Sequence, residues 1–178
     1  GNIFISGAIK DKQGGTNAGI SKVYTNSQIS SSVSGNIWTL DQTLDATYDN
    51  STATFDRIGV VMEISGDGKT FVTNHNTNNS FRVYKKLDNV WALDTVISPT
   101  TSSNGQSMNY GFNPSFSLSH DGNTIAFGVP RLSYYSESGY INIYTYDGSS
   151  WSQKGETIIG TENKMNLGWN MSLSRDGT

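Results

Sequence analysis

Apolar and polar positions alternate in short runs along this chain, and the clearest run spans Asn113 to Gly128. Phe116 and Leu118 alternate with serines, Asp121-Gly122 interrupts the pattern, and Ile125 and Phe127 resume it. Period-two alternation suits a strand with one buried face, and Asp-Gly readily takes the positive φ of a tight turn, so this stretch predicts a β-hairpin. The same pattern occurs upstream from Val60 to Thr73 and downstream from Asn170 to Thr178. Aligned on Gly1, Gly68, Gly122 and Gly177, the chain reads as a repeat. A second landmark moves with the first, an aliphatic-Tyr pair ahead of a tryptophan: Val23-Tyr24 and Trp38, Val83-Tyr84 and Trp91, Ile143-Tyr144 and Trp151. The first pair stands further from its tryptophan, which predicts a longer loop in that repeat.

Each full repeat holds four predicted strands. In the third they are Ser115 to Ser119, Thr124 to Val129, Gly139 to Tyr146 and Ser150 to Ile159; in the second, Val60 to Ser65, Thr70 to Asn74, Ser80 to Lys86 and Val90 to Ile97. The first starts at its second strand, with Asn2 to Ser6, Gly19 to Tyr24 and Asn36 to Leu44. No segment repeats apolar residues at i, i+3, i+4 and i+7 over three turns, so almost no helix is expected. Four short antiparallel strands at this recurrence are what a β-propeller blade needs, because a blade is a twisted sheet that buries its faces only against its neighbours. The expected fold is all-β: a partial β-propeller of about three blades over residues 1–178, divided near 1–59, 60–113 and 114–169, with 170–178 opening a further blade. The innermost strands, Val60 to Ser65, Ser115 to Ser119 and Met171 to Ser174, should line the axis with small residues. Tyr84, Trp91, Tyr144 and Trp151 should fill the space between blades. Three blades do not close a ring, since propellers have four to eight. The chain is therefore expected to be a piece of something longer, or to draw the remaining blades from other copies.

Three groups of residues carry a resemblance: Ser-x-Asp-Gly followed by Ile125-Ala126-Phe127-Gly128; Gly139-Tyr140-Ile141-Asn142-Ile143-Tyr144; and Trp151-Ser152-Gln153-Lys154-Gly155-Glu156 to Ile159-Gly160. Together they resemble the repeat β-propellers of FG-GAP-like, integrin-alpha-like type, found in secreted, adhesive and viral proteins of aquatic microbes. The resemblance covers the whole chain and is best in the third repeat. Propellers of this kind often bind calcium through an Asp-x-Asp-x-Asp-Gly loop, whose carboxylates supply hard oxygen ligands. Here the residues two and four before Asp67 are Ser65 and Glu63, and those before Asp121 are Ser119 and Ser117. The turn sequences thus do not support calcium, and no cofactor or metal is expected. The Ser-x-Asp-x-Gly-x-x-Trp box of sialidase-type propellers is not matched either, because glycine directly follows the aspartate.

Composition narrows the functional classes. Charged residues make up 15% of the chain and the net charge is -3, which leaves no basic stripe for nucleic acid. No apolar run approaches the roughly 20 residues of a membrane-spanning helix, so membrane insertion is not expected. The absence of cysteine excludes disulfides, thiolate metal sites and a cysteine nucleophile. Regularly placed tyrosines, phenylalanines and tryptophans argue for a packed core and against disorder.

Little in the chain points to catalysis. His120 fills the variable slot before Asp121, occupied by Gly66 and Arg175 in other repeats, and reads as a solvated turn position. Glu137 and Glu156 fall in or near loops with nothing to pair them, and no nucleophile elbow accompanies the abundant serines. Unequal loops are more informative. Ala8 to Ala18, Asn74 to Asn79 and Pro130 to Ser138 share the slot between second and third strands, while Ser98 to Phe112 and Gly160 to Trp169 join successive blades. In propellers both slots open on one face, and variable loops on a rigid scaffold are where binding resides. His75, Tyr110, Arg131, Tyr134 and Tyr135 are the candidate binding residues there, offering aromatic faces and a guanidinium to sugar or protein. Asn50 and Asn78 head sequons and are candidate glycosylation sites. The expected function is a non-catalytic binding or scaffold module, extracellular or on a virion or particle surface, serving adhesion or structure through a protein or glycan ligand. The alternative is the propeller domain of a larger secreted hydrolase or lyase whose catalytic groups lie outside this segment.

Overall fold

The computed structural model describes residues 2–8, 19–28, 36–45, 58–75, 80–99, 114–130 and 138–178. They form strands and turns, with no helix among the described residues. The first sheet contains β1 (Ile3–Ala8), β2 (Ile20–Gln28) and β3 (Asn36–Asp45); the second contains β4 (Met62–Ile64), β5 (Thr70–His75), β6 (Ser80–Leu87) and β7 (Val90–Ile97). The third contains β8 (Ser115–Leu118), β9 (Thr124–Val129), β10 (Tyr140–Tyr146), β11 (Trp151–Gln153) and β12 (Ile158–Ile159). Successive strands pair antiparallel, except that β12 pairs with β10 alongside β11, so each sheet is a meander. These are propeller blades, stacked face to face in an incomplete ring of about three.

Alternation sorts each strand's side chains between the two neighbouring blades. On β6, Phe81 and Val83 join Phe116, Leu118, Ile125, Phe127, Tyr140 and Tyr144 of the third blade, and Tyr84 turns the other way to join Val23 and Leu44 of the first. Two cores result, one per blade interface. In the first, Phe71 stacks on Tyr84 at 4.7 Å and meets Trp91 edge-on at 4.9 Å. The second centres on Phe81, which stacks on Phe127 at 4.9 Å and meets Phe116 and Tyr144 edge-on. Offset and edge-on pairs add about 0.5–1.5 kcal/mol each beyond the area they bury.

A β-bulge lets the outer strand serve both faces. The register of β2 with β3 shifts between Val23 and Tyr24, and that of β6 with β7 shifts at the equivalent point between Val83 and Tyr84. The extra residue reverses the facing of everything beyond it, so Trp91 and Leu93 pack on the preceding blade while Ile97 packs on the following one. The bulge residues also reach across. Asp41 lies 3.9 Å from Lys86 Nζ, Asp94 accepts a 2.9 Å bond from Trp151 Nε1, and the Gln42 side-chain amide pairs with both backbone polar groups of Trp91.

Several expectations need correction. The outer strand of the third blade is broken into β11 and β12 instead of running from Ser150 to Ile159, with Lys154 N–H donating to Ile143 O at the break. The break falls where the other blades carry their bulge. β5 runs one residue past the expected end at Asn74, His75 pairing with Ser80, so the loop begins later than expected. Met171 to Ser174 is not a strand; Leu173 N–H donates to Ser117 Oγ of the third blade. Trp151 is only half-buried, unlike Tyr84 and Trp91.

Candidate binding faces

Turns joining the first and second strands form one end of the stack. In each, the serine hydroxyl donates to the aspartate carboxylate two residues on, at 2.6 Å for Ser65 and Asp67, 2.6 Å for Ser119 and Asp121, and 2.7 Å for Ser174 and Asp176. The same serine oxygen accepts the N–H of Thr70 or Thr124, and the carboxylate accepts the N–H two residues beyond itself. Glycine alone takes a positive φ: 70° at Gly68, 69° at Gly122 and 72° at Gly177. The aspartate is thus the hydrogen-bonded corner of the turn and the glycine its left-handed residue, the arrangement of a type I turn closed by a bulge.

Successive turns stack. Asp67 N–H donates to His120 O, and His120 N–H donates to Arg175 O, both at 2.8 Å. The variable slot therefore forms a column, Gly66, His120, Arg175, running from blade to blade. His120 sits in the turn, as expected from sequence, and is partly exposed; its ring lies against Gly66, and its Nε2 lies 3.2 Å from the Arg175 guanidinium. Beside the column a cavity of about 420 Å³ is lined by Asn2, Ile3 and the stretch from Ile64 to Gly68.

Carboxylates on this face are committed to their own turns. The Ser119 hydroxyl and the Asn123 N–H hold Asp121 below the ordinary aspartate range, and Ser174 and Thr178 do the same for Asp176. At the outer rim, the Ser150 and Ser149 N–H groups bring Asp147 down to about 2. Groups so stabilised as anions are poor proton donors near neutral pH. Burial raises Glu63 on β4, and it lowers Lys85 against the opposing pull of Asp94. Lys85 Nζ lies 2.9 Å from the centroid of the Tyr146 ring, a cation held between the second and third blades. No group of three or more metal-ligating side chains occurs among the described residues.

The opposite end carries the stems of the variable loops. Parallel bridges join Gly19 to Ile58 and Gly139 to Leu167, which sets the stem of the second-to-third connection beside the stem of the blade-to-blade connection. Close backbone approach makes this possible. A Cβ on Gly128 would lie 2.6 Å from Gly168 O, and one on Gly7 would collide with Gly59 O, so only glycine fits at these crossings. His75 ends β5 at this face. Tyr110, Arg131, Tyr134 and Tyr135 lie outside the described residues, as do the sequon residues Asn50 and Asn78 and the acid Glu137. The connection from Gly160 to Trp169 is described, and it presents Met165 and Trp169, the latter 68% exposed. Sequence reasoning marked that connection as variable but singled out no residue in it. A tryptophan in a mostly polar stretch was the available signal.

No protein-family model matches the chain, and no curated protein matches it. Among solved structures, that of a protein from Lactobacillus plantarum aligns over 88% of this chain at 11% identity with a TM-score of 0.44. The chain spans 41% of that protein.

Proposed function

We propose that this chain is a non-catalytic recognition and scaffold module of the FG-GAP-like, integrin-alpha-like kind, displayed outside the cell or on a particle surface. Its ligand is a glycan or a protein, bound at the end of the stack that carries the variable loops. The observation that carries the reading is the pair of parallel bridges, Gly19 with Ile58 and Gly139 with Leu167, which anchor two variable connections side by side on sheets with fully packed cores. Loops rooted in that way present side chains without the whole scaffold having to reorganise on binding. The residues assigned to contact are His75, Tyr110, Arg131, Tyr134 and Tyr135, with Trp169 added from the structure. Aromatic rings stack on the apolar faces of sugars, and a guanidinium supplies directed hydrogen bonds, so a saccharide is the first ligand to test.

The test is a glycan array probed with the wild-type chain and with a variant carrying Arg131→Ala, Tyr134→Ala and Trp169→Ala. Selective retention of a glycan class that the variant loses, at unchanged thermal stability, is the expected result. Retention of nothing, or equal retention of both proteins, overturns the reading.

A further inference from the structure

The third strand of each blade carries a polar residue one position before its aliphatic-Tyr pair: Lys22, Arg82 and Asn142. In β10 that residue lies on the face turned to the second blade. Tyr140, Asn142 and Tyr144 alternate as the buried positions of the strand, and both tyrosines belong to the core that Phe81 and Val83 of the second blade complete. Directly across the ladder from Asn142 stands Phe127, the ring on which Phe81 stacks. Asn142 is 0% exposed, so its amide sits inside an aromatic and aliphatic interface.

Neither the oxygen nor the nitrogen of that amide closes a hydrogen bond with any described residue, and the Tyr140 hydroxyl, equally buried on the same face, closes none either. The Asn142 amide does lie beside the Tyr144 phenol, opposing the rise in pKa that burial gives it. An amide taken out of water without a replacement partner loses the hydrogen bonds it had in solution, which is why buried amides almost always have one.

The blade is open at this point. In the second blade the outer strand runs without interruption past Arg82, with Val96 opposite it. In the third, β11 pairs with Tyr144 to Tyr146 and β12 with Tyr140 and Ile141, so Asn142 and Ile143 fall at the break. The intervening loop stands in solvent: Lys154, Gly155 and Glu156 are exposed, and a Cβ on Gly155 would meet nothing within 4 Å. Gln153 Nε2 donates to Gly155 O at 3.2 Å and to Thr157 Oγ1 at 3.3 Å, which ties the loop to itself and not to Asn142. The seam is also more polar than its counterpart between the first and second blades. Gln153 pairs with Tyr144 where Leu93 pairs with Tyr84, and Trp151 is half-buried where Trp91 is fully buried.

We propose that Asn142 holds an internal water molecule between the second and third blades, reached from solvent through the break in the outer strand. The amide is both donor and acceptor, and a tyrosine hydroxyl belongs to the same face on either side of it along β10. A water there has the roughly two to four polar partners that ordered internal waters need. It completes the polar contacts that the broken outer strand leaves unmade.

Oxygen-17 relaxation dispersion of water counts the long-lived internal waters of the chain in solution. Asn142→Leu, close to the same size and unable to hydrogen-bond, should lower that count by about one, with circular dichroism unchanged. An unchanged count in the folded variant overturns the proposal. A crystal structure of the unaltered chain tests the same site without a substitution, so the question stays decidable if the variant does not fold. Density for a water about 2.7–3.2 Å from an atom of the Asn142 amide is expected; a protein group in that place, or no density there, overturns the proposal.

Discussion

Gly68→Ala and Gly122→Ala form a matched pair that measures the stacking of the turns. Their φ values are 70° and 69°, so a new Cβ incurs the same left-handed backbone penalty at both, about 1–2 kcal/mol. Their neighbours differ. At Gly68 the Cβ would lie 3.2 Å from Cδ1 of Ile3, the far end of a flexible side chain that can rotate away. At Gly122 it would lie 2.5 Å from both Cβ and Oγ1 of Thr70 and 3.1 Å from the Ser65 Cβ. Thr70 is buried, β-branched and bonded through its backbone to both Ser65 Oγ and Ser65 N, so it has nowhere to go. Overpacking of that kind adds about 1–3 kcal/mol. The expected losses are therefore about 1–2 kcal/mol for Gly68→Ala and about 2–5 kcal/mol for Gly122→Ala. Urea unfolding followed by tryptophan fluorescence, at one chain concentration and with m-values compared, supplies both numbers. Equal losses at the two sites would show that the turns are not stacked as described, and a larger loss at Gly68 would reverse the argument.

Phe71→Ala should cost about 3–5 kcal/mol, the range for a fully buried phenylalanine, whereas Phe4→Ala at the equivalent exposed position should cost less than about 1 kcal/mol; comparable values in denaturant titrations would contradict the assignment of blade faces. Ser119→Ala removes the leading cause of the low Asp121 pKa, so a carboxyl NMR titration should find Asp121 nearer the ordinary aspartate value. Because the folded pKa lies below the unfolded one, the contribution of this turn is present above the ordinary aspartate range and is lost as pH falls through the folded value. An unmoved Asp121 titration in the variant would refute that account.

Strands and repeat were legible because their determinants are local. Thr124 to Val129 and Val90 to Ile97 agree with β9 and β7 to the residue, since alternation and a preceding Asp-Gly or Asp-Asn act within a few residues. The long-range features were not legible. Asp41 and Asp94 each occupy a bulge and reach the next blade, a role set by a register shift that no spacing reveals. The neighbours of His120 were hidden for the same reason: Gly66 and Arg175 each come from one blade away. Of the candidate binding residues, sequence singled out those on variable loops by residue type alone. The exposed Trp169 emerged only once the stem of its loop was placed beside Gly128 and Tyr140.

The amino-acid sequence by itself determined the class of fold, the number of repeats and the identity of the turn residues. Period-two alternation, left-handed glycines and serine–aspartate hydrogen bonds are decided by a residue and its nearest neighbours along the chain. Tertiary structure decided which of the equivalent aromatic residues are buried. Phe4 and Phe71, or Trp38 and Trp91, stand at equivalent positions of the repeat, yet among the described residues only Phe71 and Trp91 have a neighbouring blade packed on them. Burial of a sheet face is a property of two blades together, so it could not be read from either one alone.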